Sequence, residues 1–263
     1  MKTRDIHIHT HSAPQPKGRP ILFVHGAYTH SGCWQEFFIP FFQSAGHDCY
    51  TLDLSGHGAS RGRRQRLDFG IDDYVADLAE ARASLPVDPV LIGHSMGCTV
   101  VQRHLECATA PAVAFLAPVP PSGTIVSACR LSLLYPDYLI QLEKAVSGHP
   151  TAETVERMSQ VYLSPKASLD EINRFFGMVQ PESQRALLDL AALPLRRYVT
   201  RPEIPALVMG GAEDAVFPAG QLYTTALPWR ARSVVVQDAG HMLMIDPGWE
   251  QAAQALRDWL ATL

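Results

Sequence analysis

The pentapeptide Gly93-His94-Ser95-Met96-Gly97 lies between the apolar run Pro89-Val90-Leu91-Ile92 and the segment Cys98-Thr99-Val100-Val101. This order reads as strand, sharp turn, helix, the setting in which a serine is lifted clear of its surroundings as a nucleophile. So tight a turn strains the serine backbone, and the flanking glycines lack the Cβ atoms that would collide with neighbouring chain.

An alcohol is a poor nucleophile at neutral pH, so a base must remove its proton during attack and a third group must orient that base. Two downstream loops offer the partners. Gly210-Gly211-Ala212-Glu213-Asp214-Ala215-Val216-Phe217-Pro218 follows a buried strand and presents Asp214 as the orienting acid, with Glu213 as a rival in the same loop. Gln237-Asp238-Ala239-Gly240-His241-Met242-Leu243 follows the last strand and presents His241 as the general base, while Asp238 reads as a turn residue. The order is nucleophile, acid, histidine.

A tetrahedral intermediate also needs two donors for its oxyanion. The turn at His25-Gly26-Ala27-Tyr28 ends another apolar run and predicts the Ala27 N–H as one donor, and the Met96 N–H, just after the serine, is the other. His25 reads as a structural hydrogen-bonding residue. Tyr28, His94, Phe217 and Met242 are candidates for the substrate pocket, being close in sequence to these groups.

The elements that must hold these residues are legible as apolar runs: Pro20–Val24, Cys49–Leu52, Val90–Ile92, Ala112–Leu116, Ala206–Met209 and Ser233–Val236. Their apolarity is continuous rather than alternating, which predicts strands covered on both faces in a mostly parallel sheet. Helices are expected over 34–45, 71–85, 96–107 and 247–261, the last capped by Asp246 with Pro247 in its first position. Ala13–Gly18 reads as a turn joining a first strand pair to the next strand.

Between Pro118 and Ala206 the alternation lapses. Helical patterns occupy Pro136–Val146 and Thr151–Leu163, and Ser168-Leu169-Asp170-Glu171 is a capping box that starts another. The stretch 122–200 is read as a helical cap inserted into a core made of 1–121 and 201–263. Leu134, Tyr138 and Phe175 are its candidates for facing the substrate.

The chain has 263 residues, 18% of them charged and 47% hydrophobic, with a formal net charge of −4. That composition suits a folded enzyme and gives no global attraction to nucleic acid or an anionic membrane. Five cysteines, Cys33, Cys49, Cys98, Cys107 and Cys129, lack the spacing of a zinc site and are odd in number for a disulfide framework. With no signal-peptide pattern at Met1–Ile6 and no apolar run of membrane-spanning length, a cytoplasmic location is expected.

His25-Gly26-Ala27 followed by Trp34, the segment Asp53-Leu54-Ser55-Gly56-His57-Gly58-Ala59-Ser60, the turn at Ser95 and the Asp214 and His241 loops together resemble the α/β-hydrolase superfamily, over nearly the whole chain outside 122–200. The resemblance implies an α/β fold with a mostly parallel central sheet flanked by helices and an inserted cap. It also implies a cofactor-independent serine hydrolase that cleaves a small-to-medium carboxylic ester through an acyl-enzyme. Thioester hydrolysis, carbon–carbon bond hydrolysis and acyl transfer use the same three residues, and some members of the superfamily are receptors with little turnover. Members that attack through aspartate are disfavoured by Ser95.

Two further features stand apart. Alternation puts His7, His9 and His11 on one face of a strand, which is read as an exposed face because no further ligands complete a metal site. Arg61, Arg63, Arg64 and Arg66 read as a solvated charge run, with a rim that attracts anionic substrates as the functional alternative.

Overall fold

The computed structural model describes residues 5–193 and 202–263. Seven strands form one sheet: β1 (His7–His11), β2 (Ile21–Val24), β3 (Cys49–Asp53), β4 (Val90–His94), β5 (Val113–Leu116), β6 (Ala206–Gly211) and β7 (Arg232–Val236). Their spatial order is β1-β3-β2-β4-β5-β6-β7, with every pair parallel except β1 against β3. The expected opening strand pair is corrected: β1 is a lone strand whose partner, β3, lies beyond β2 in the chain.

Ten α-helices accompany the sheet among the described residues: α1 (Phe38–Ser44), α2 (Ile71–Ala83), α3 (Met96–His104), α4 (Ile125–Leu134), α5 (Tyr138–Val146), α6 (Ala152–Tyr162), α7 (Leu169–Met178), α8 (Gln184–Ala191), α9 (Leu222–Ala226) and α10 (Trp249–Leu260). The period-2 pleat explains why the strands read as unbroken apolar runs. Ile21, Phe23, Val90, Ile92, Ala114 and Leu207 enter one core with Phe38 and Phe42 of α1 and Leu256 of α10. Their neighbours Leu22, Val24, Leu91, Val113, Phe115 and Val208 enter a second core with Tyr74 and Leu78 of α2, Val100 of α3 and Leu222 of α9.

Helices α4 to α8 are inserted between β5 and β6, within the stretch expected to be helical. The far end of that stretch, and the resumption of the core at 201, lie outside the described residues. Ser168 forms the capping box read from sequence: its Oγ accepts from Glu171 N, and the Glu171 carboxylate accepts from Ser168 N at 2.6 Å.

Two expectations are corrected. The helix expected over 34–45 begins only at Phe38, after a separate 3₁₀ turn at Ser31–Trp34. The last helix begins at Trp249 with Gly248 as its N-cap, and the Asp246 side chain does not cap it. Its buried carboxylate instead accepts from Gly240 N at 2.6 Å and Ser164 N at 3.0 Å, two donors that burial cuts off from water.

Candidate active site

Ser95 stands between β4 and α3 with φ +50° and ψ −117°, in a region that costs an L residue about 1–3 kcal/mol. Close packing holds it there. Its N–H donates to Leu116 O on β5 at 2.9 Å, and its carbonyl accepts from Cys98 N at 3.0 Å. A Cβ on Gly97 would lie 2.4 Å from Val24 O, and one on Gly93 would lie 2.7 Å from Cys98 N, so helix, turn and strand fit together only with glycine at both places.

His241 Nε2 is 3.0 Å from Ser95 Oγ, and His241 Nδ1 is 2.9 Å from Asp214 Oδ2. The carboxylate accepts the Nδ1 proton, which leaves Nε2 free to accept from the serine hydroxyl. The other Asp214 oxygen accepts from Val216 N at 2.7 Å and Phe217 N at 2.9 Å, so the loop's own backbone aims the carboxylate. All three side chains are buried. Glu213, the rival acid, turns away to accept from Ser164 Oγ, and Asp238 sits at an exposed turn with φ +54°, paired with Lys166.

The inserted helices help to hold the histidine loop. His241 N and Met242 N both donate to Tyr162 O, at the end of α6, at 2.9 and 3.1 Å. From the sheet side, His94 Nε2 donates to His241 O at 2.9 Å. Burial, reinforced by the His241 ring nearby, drives the His94 pKa well below its ordinary value, so it is neutral.

Ala27 follows β2 at the edge where Ser95 emerges, and a Cβ on Gly26 would lie 2.7 Å from His94 Nδ1 and 3.0 Å from Ser95 Cβ. His25 fixes the peptide plane that carries the Ala27 N–H. Leu54 N donates to His25 Nε2 at 3.1 Å, which leaves the proton on Nδ1, and Nδ1 donates to Gly26 O at 2.8 Å. Burial, with His57 adding to it, lowers the His25 pKa to about 4, so this tautomer persists at neutral pH.

A cavity of about 250 Å³ opens onto Ser95 and His241. Tyr28, His94, Tyr138, Phe175, Phe217 and Met242 line it, as does Ala27. Leu134 does not: it ends α4 with 58% of its surface exposed, while Leu131, one turn earlier on the same helix, lies against the cavity. Sequence reasoning also missed Leu142, Tyr162 and Leu190, whose helical spacing marks them as buried without saying which cavity they border. Among the described residues no aspartate, glutamate, lysine or arginine lines this space. A wider open groove of about 850 Å³ runs past Ile204, Thr224 and Trp229 and includes none of the residues gathered at Ser95.

The four arginines are elsewhere. Arg61 pairs with Asp5, Arg63 donates to Gly58 O and Arg66 reaches Gly56 O at 3.4 Å, and none lines the cavity. On β1 the His7 and His9 rings are 4.4 Å apart, but that face is not simply solvated: His9 Nε2 lies 3.1 Å from the buried Asp53 carboxylate. Among the described residues no group of three or more His, Cys, Asp or Glu is placed to hold a metal ion, and no helix is long and apolar enough to cross a membrane. All five cysteines are free thiols, with Cys107 and Cys129 exposed.

Residues 21–255 match the model of the alpha/beta hydrolase family, and the chain belongs to that family. It is 28% identical over 248 residues to a Mycobacterium tuberculosis protein named "Putative non-heme bromoperoxidase BpoC", covering 86% of this chain and 87% of that protein. The crystal structure of BpoC from Mycobacterium tuberculosis H37Rv superposes with a TM-score of 0.74 at 21% identity, covering 98% of this chain and 96% of that one. A thermophilic esterase from Thermogutta terrifontis superposes with a TM-score of 0.71 at 20% identity, covering 98% and 93%.

Proposed function

We propose that the protein is a serine hydrolase that cleaves a carboxylic ester of small to medium size through an acyl-enzyme on Ser95. The observation that carries this reading is the continuous chain of contacts from Asp214 Oδ2 through His241 to Ser95 Oγ, at 2.9 and 3.0 Å, at the floor of a largely apolar cavity. Ser95 Oγ attacks the ester carbonyl while His241 Nε2 takes its proton, and Asp214 stabilises the imidazolium that forms. The N–H groups of Ala27 and Met96 receive the oxyanion. Collapse expels the alcohol, which takes the proton back from His241, and a water activated by the same imidazole releases the acid.

Helices α4 to α8 act in this reading as a cap that supplies most of the pocket wall. The cavity, about 250 Å³ and walled mostly by apolar side chains, suits a small-to-medium acyl or alcohol portion. Thioester hydrolysis, carbon–carbon cleavage beside a carbonyl and acyl transfer remain open to the same groups. Steady-state turnover of p-nitrophenyl esters from acetate to palmitate tests the proposal. Ser95-dependent activity peaking at short to medium chains is expected; turnover equal to that of Ser95→Ala across the series would remove it.

The name of the mycobacterial relative gives weight to a second reading. Hydrogen peroxide can replace water in the second step, attacking the acyl-enzyme to give a peroxy acid and free Ser95. Ser95-dependent bromination of a phenol in acetate, peroxide and bromide would favour it, and its absence alongside ester turnover would leave hydrolysis alone.

A further inference from the structure

The segment that joins α7 to α8 reaches across to the turn that follows β2 and grips it. Gln180 N donates to Tyr28 O at 2.9 Å, and Gln180 Nε2 donates to Thr29 O at 2.6 Å. Two residues on, Glu182 Oε2 accepts from Tyr28 N at 3.3 Å and from His57 Nε2 at 3.1 Å. Its other oxygen accepts from the Tyr74 hydroxyl at 2.9 Å and from Ser183 N at 2.6 Å. The side chains of Glu182 and His57 are fully buried.

What they hold is strained. Tyr28 has φ +63°, a left-handed conformation rare for an aromatic residue. The strap takes both ends of this residue, its N–H on the Glu182 carboxylate and its C=O on the Gln180 N–H. Ala27 lies immediately upstream, and His25 fixes the other side of it through Gly26 O. The Gly26–Ala27 peptide that carries the Ala27 N–H is therefore held from the sheet by His25, and the peptides that follow it are held from the inserted helices by Glu182 and Gln180. A buried ion pair is a costly way to dock one segment on another, and apolar residues of similar volume would serve docking alone as well or better.

We propose that Glu182 and Gln180 are positioning residues for the oxyanion-binding turn, so that the seating of the inserted helices on the sheet sets the aim of the Ala27 N–H. This rests on the acyl-enzyme reading of Ser95. Neither Glu182 nor Gln180 lines the cavity, so both reach the substrate only through the turn they hold.

The test measures kcat and KM for Glu182→Gln and Gln180→Ala on a short p-nitrophenyl ester, together with the affinity of an alkylboronic acid, which forms a tetrahedral anionic adduct on an activated serine. Loss of a whole oxyanion donor slows turnover about 10²–10³-fold. A misaimed donor should therefore lower kcat about 10-fold or more in Glu182→Gln and by a smaller factor in Gln180→Ala, with KM within about two-fold. Boronate affinity should fall in step with kcat/KM. Should Glu182→Gln fail to fold, Gln180→Ala decides alone, since it leaves the buried charges in place. Folded variants with kcat within two-fold of the parent, or a loss confined to KM, would overturn the inference while the parent's own turnover leaves Ser95 chemistry standing. A parent protein that neither turns over esters nor binds the boronate removes both.

Discussion

Replacing Asp214 with asparagine changes one atom at a position where the structure dictates the consequence. Asp214 Oδ1 already accepts two backbone donors, Val216 N at 2.7 Å and Phe217 N at 2.9 Å. The carboxamide oxygen of asparagine must take that place, because an NH₂ group there would face two N–H donors. The NH₂ then faces His241 Nδ1, where the carboxylate had accepted a proton at 2.9 Å. To meet this donor the imidazole must move its proton to Nε2, the atom 3.0 Å from Ser95 Oγ, and a protonated Nε2 cannot accept from the serine. The base is lost although every heavy atom keeps its place. By analogy with the same exchange in serine proteases, kcat should fall by about 10³–10⁴, equivalent to about 4–5.5 kcal/mol of transition-state stabilisation. KM should stay within a few-fold, and the melting temperature within a few degrees because the loop's own bonds survive. Initial rates on the best p-nitrophenyl ester give kcat and KM, and differential scanning fluorimetry gives the melting temperature. Glu213→Gln, which alters only a contact to Ser164, is the control and should keep most of its activity. An asparagine variant within ten-fold of the parent in kcat would mean that Asp214 does not set the tautomer of His241.

Three other outcomes follow from particular contacts. Gly97→Ala places a methyl 2.4 Å from Val24 O and 2.5 Å from His25 O, neither of which can yield without separating α3 from β2; thermal melts should show a loss of about 1–3 kcal/mol, and kcat should fall as Met96 shifts. Leu131→Ala trims a buried cavity wall, so the preferred acyl chain should lengthen by about two or three carbons, at a cost of about 2–5 kcal/mol in stability read from urea titrations. The depressed pKa of His25, about 4 against 6.5 unfolded, gives stability that is complete above pH 6.5 and is lost as pH falls toward 4, by about 3 kcal/mol. Asp246 works in the opposite sense: burial raises its pKa to about 7 from 3.8, so folding gains stability as pH falls across that range. The comparison of parent with His25→Asn isolates the histidine: the gap between their unfolding free energies should shrink by about 3 kcal/mol from pH 7 to pH 4, and a constant gap would mean that His25 is not held neutral.

The strands were legible because parallel strands buried on both faces must be apolar at every position, and Ile21–Val24 and Val113–Leu116 obey that without exception. The convergence of Ser95, Asp214 and His241 was legible because each follows a strand in a glycine-containing loop, at the same edge of the sheet. What escaped depends on distance through space. Glu182 lies in a Pro-Glu-Ser connection with no motif of its own, and its meaning comes from His57 and Tyr28, which precede it by 125 and 154 positions. Leu131 and Leu134 share α4, a helix apolar on several sides, and only the docked helix distinguishes the leucine at the cavity from the one in water. Asp246-Pro247 has the form of a helix cap, but buried Gly240 and Ser164 N–H groups, one of them 82 residues away, claim the carboxylate first.

The proposed covalent intermediate can be observed directly. The parent protein is mixed with excess p-nitrophenyl butyrate, quenched in acid within milliseconds to seconds, and its intact mass and peptides are recorded. The account predicts a burst of p-nitrophenol and a butyryl adduct carried by the peptide that contains Ser95, absent in Ser95→Ala. Ester turnover with the adduct on another residue, or persisting at the parent rate in Ser95→Ala, would contradict it.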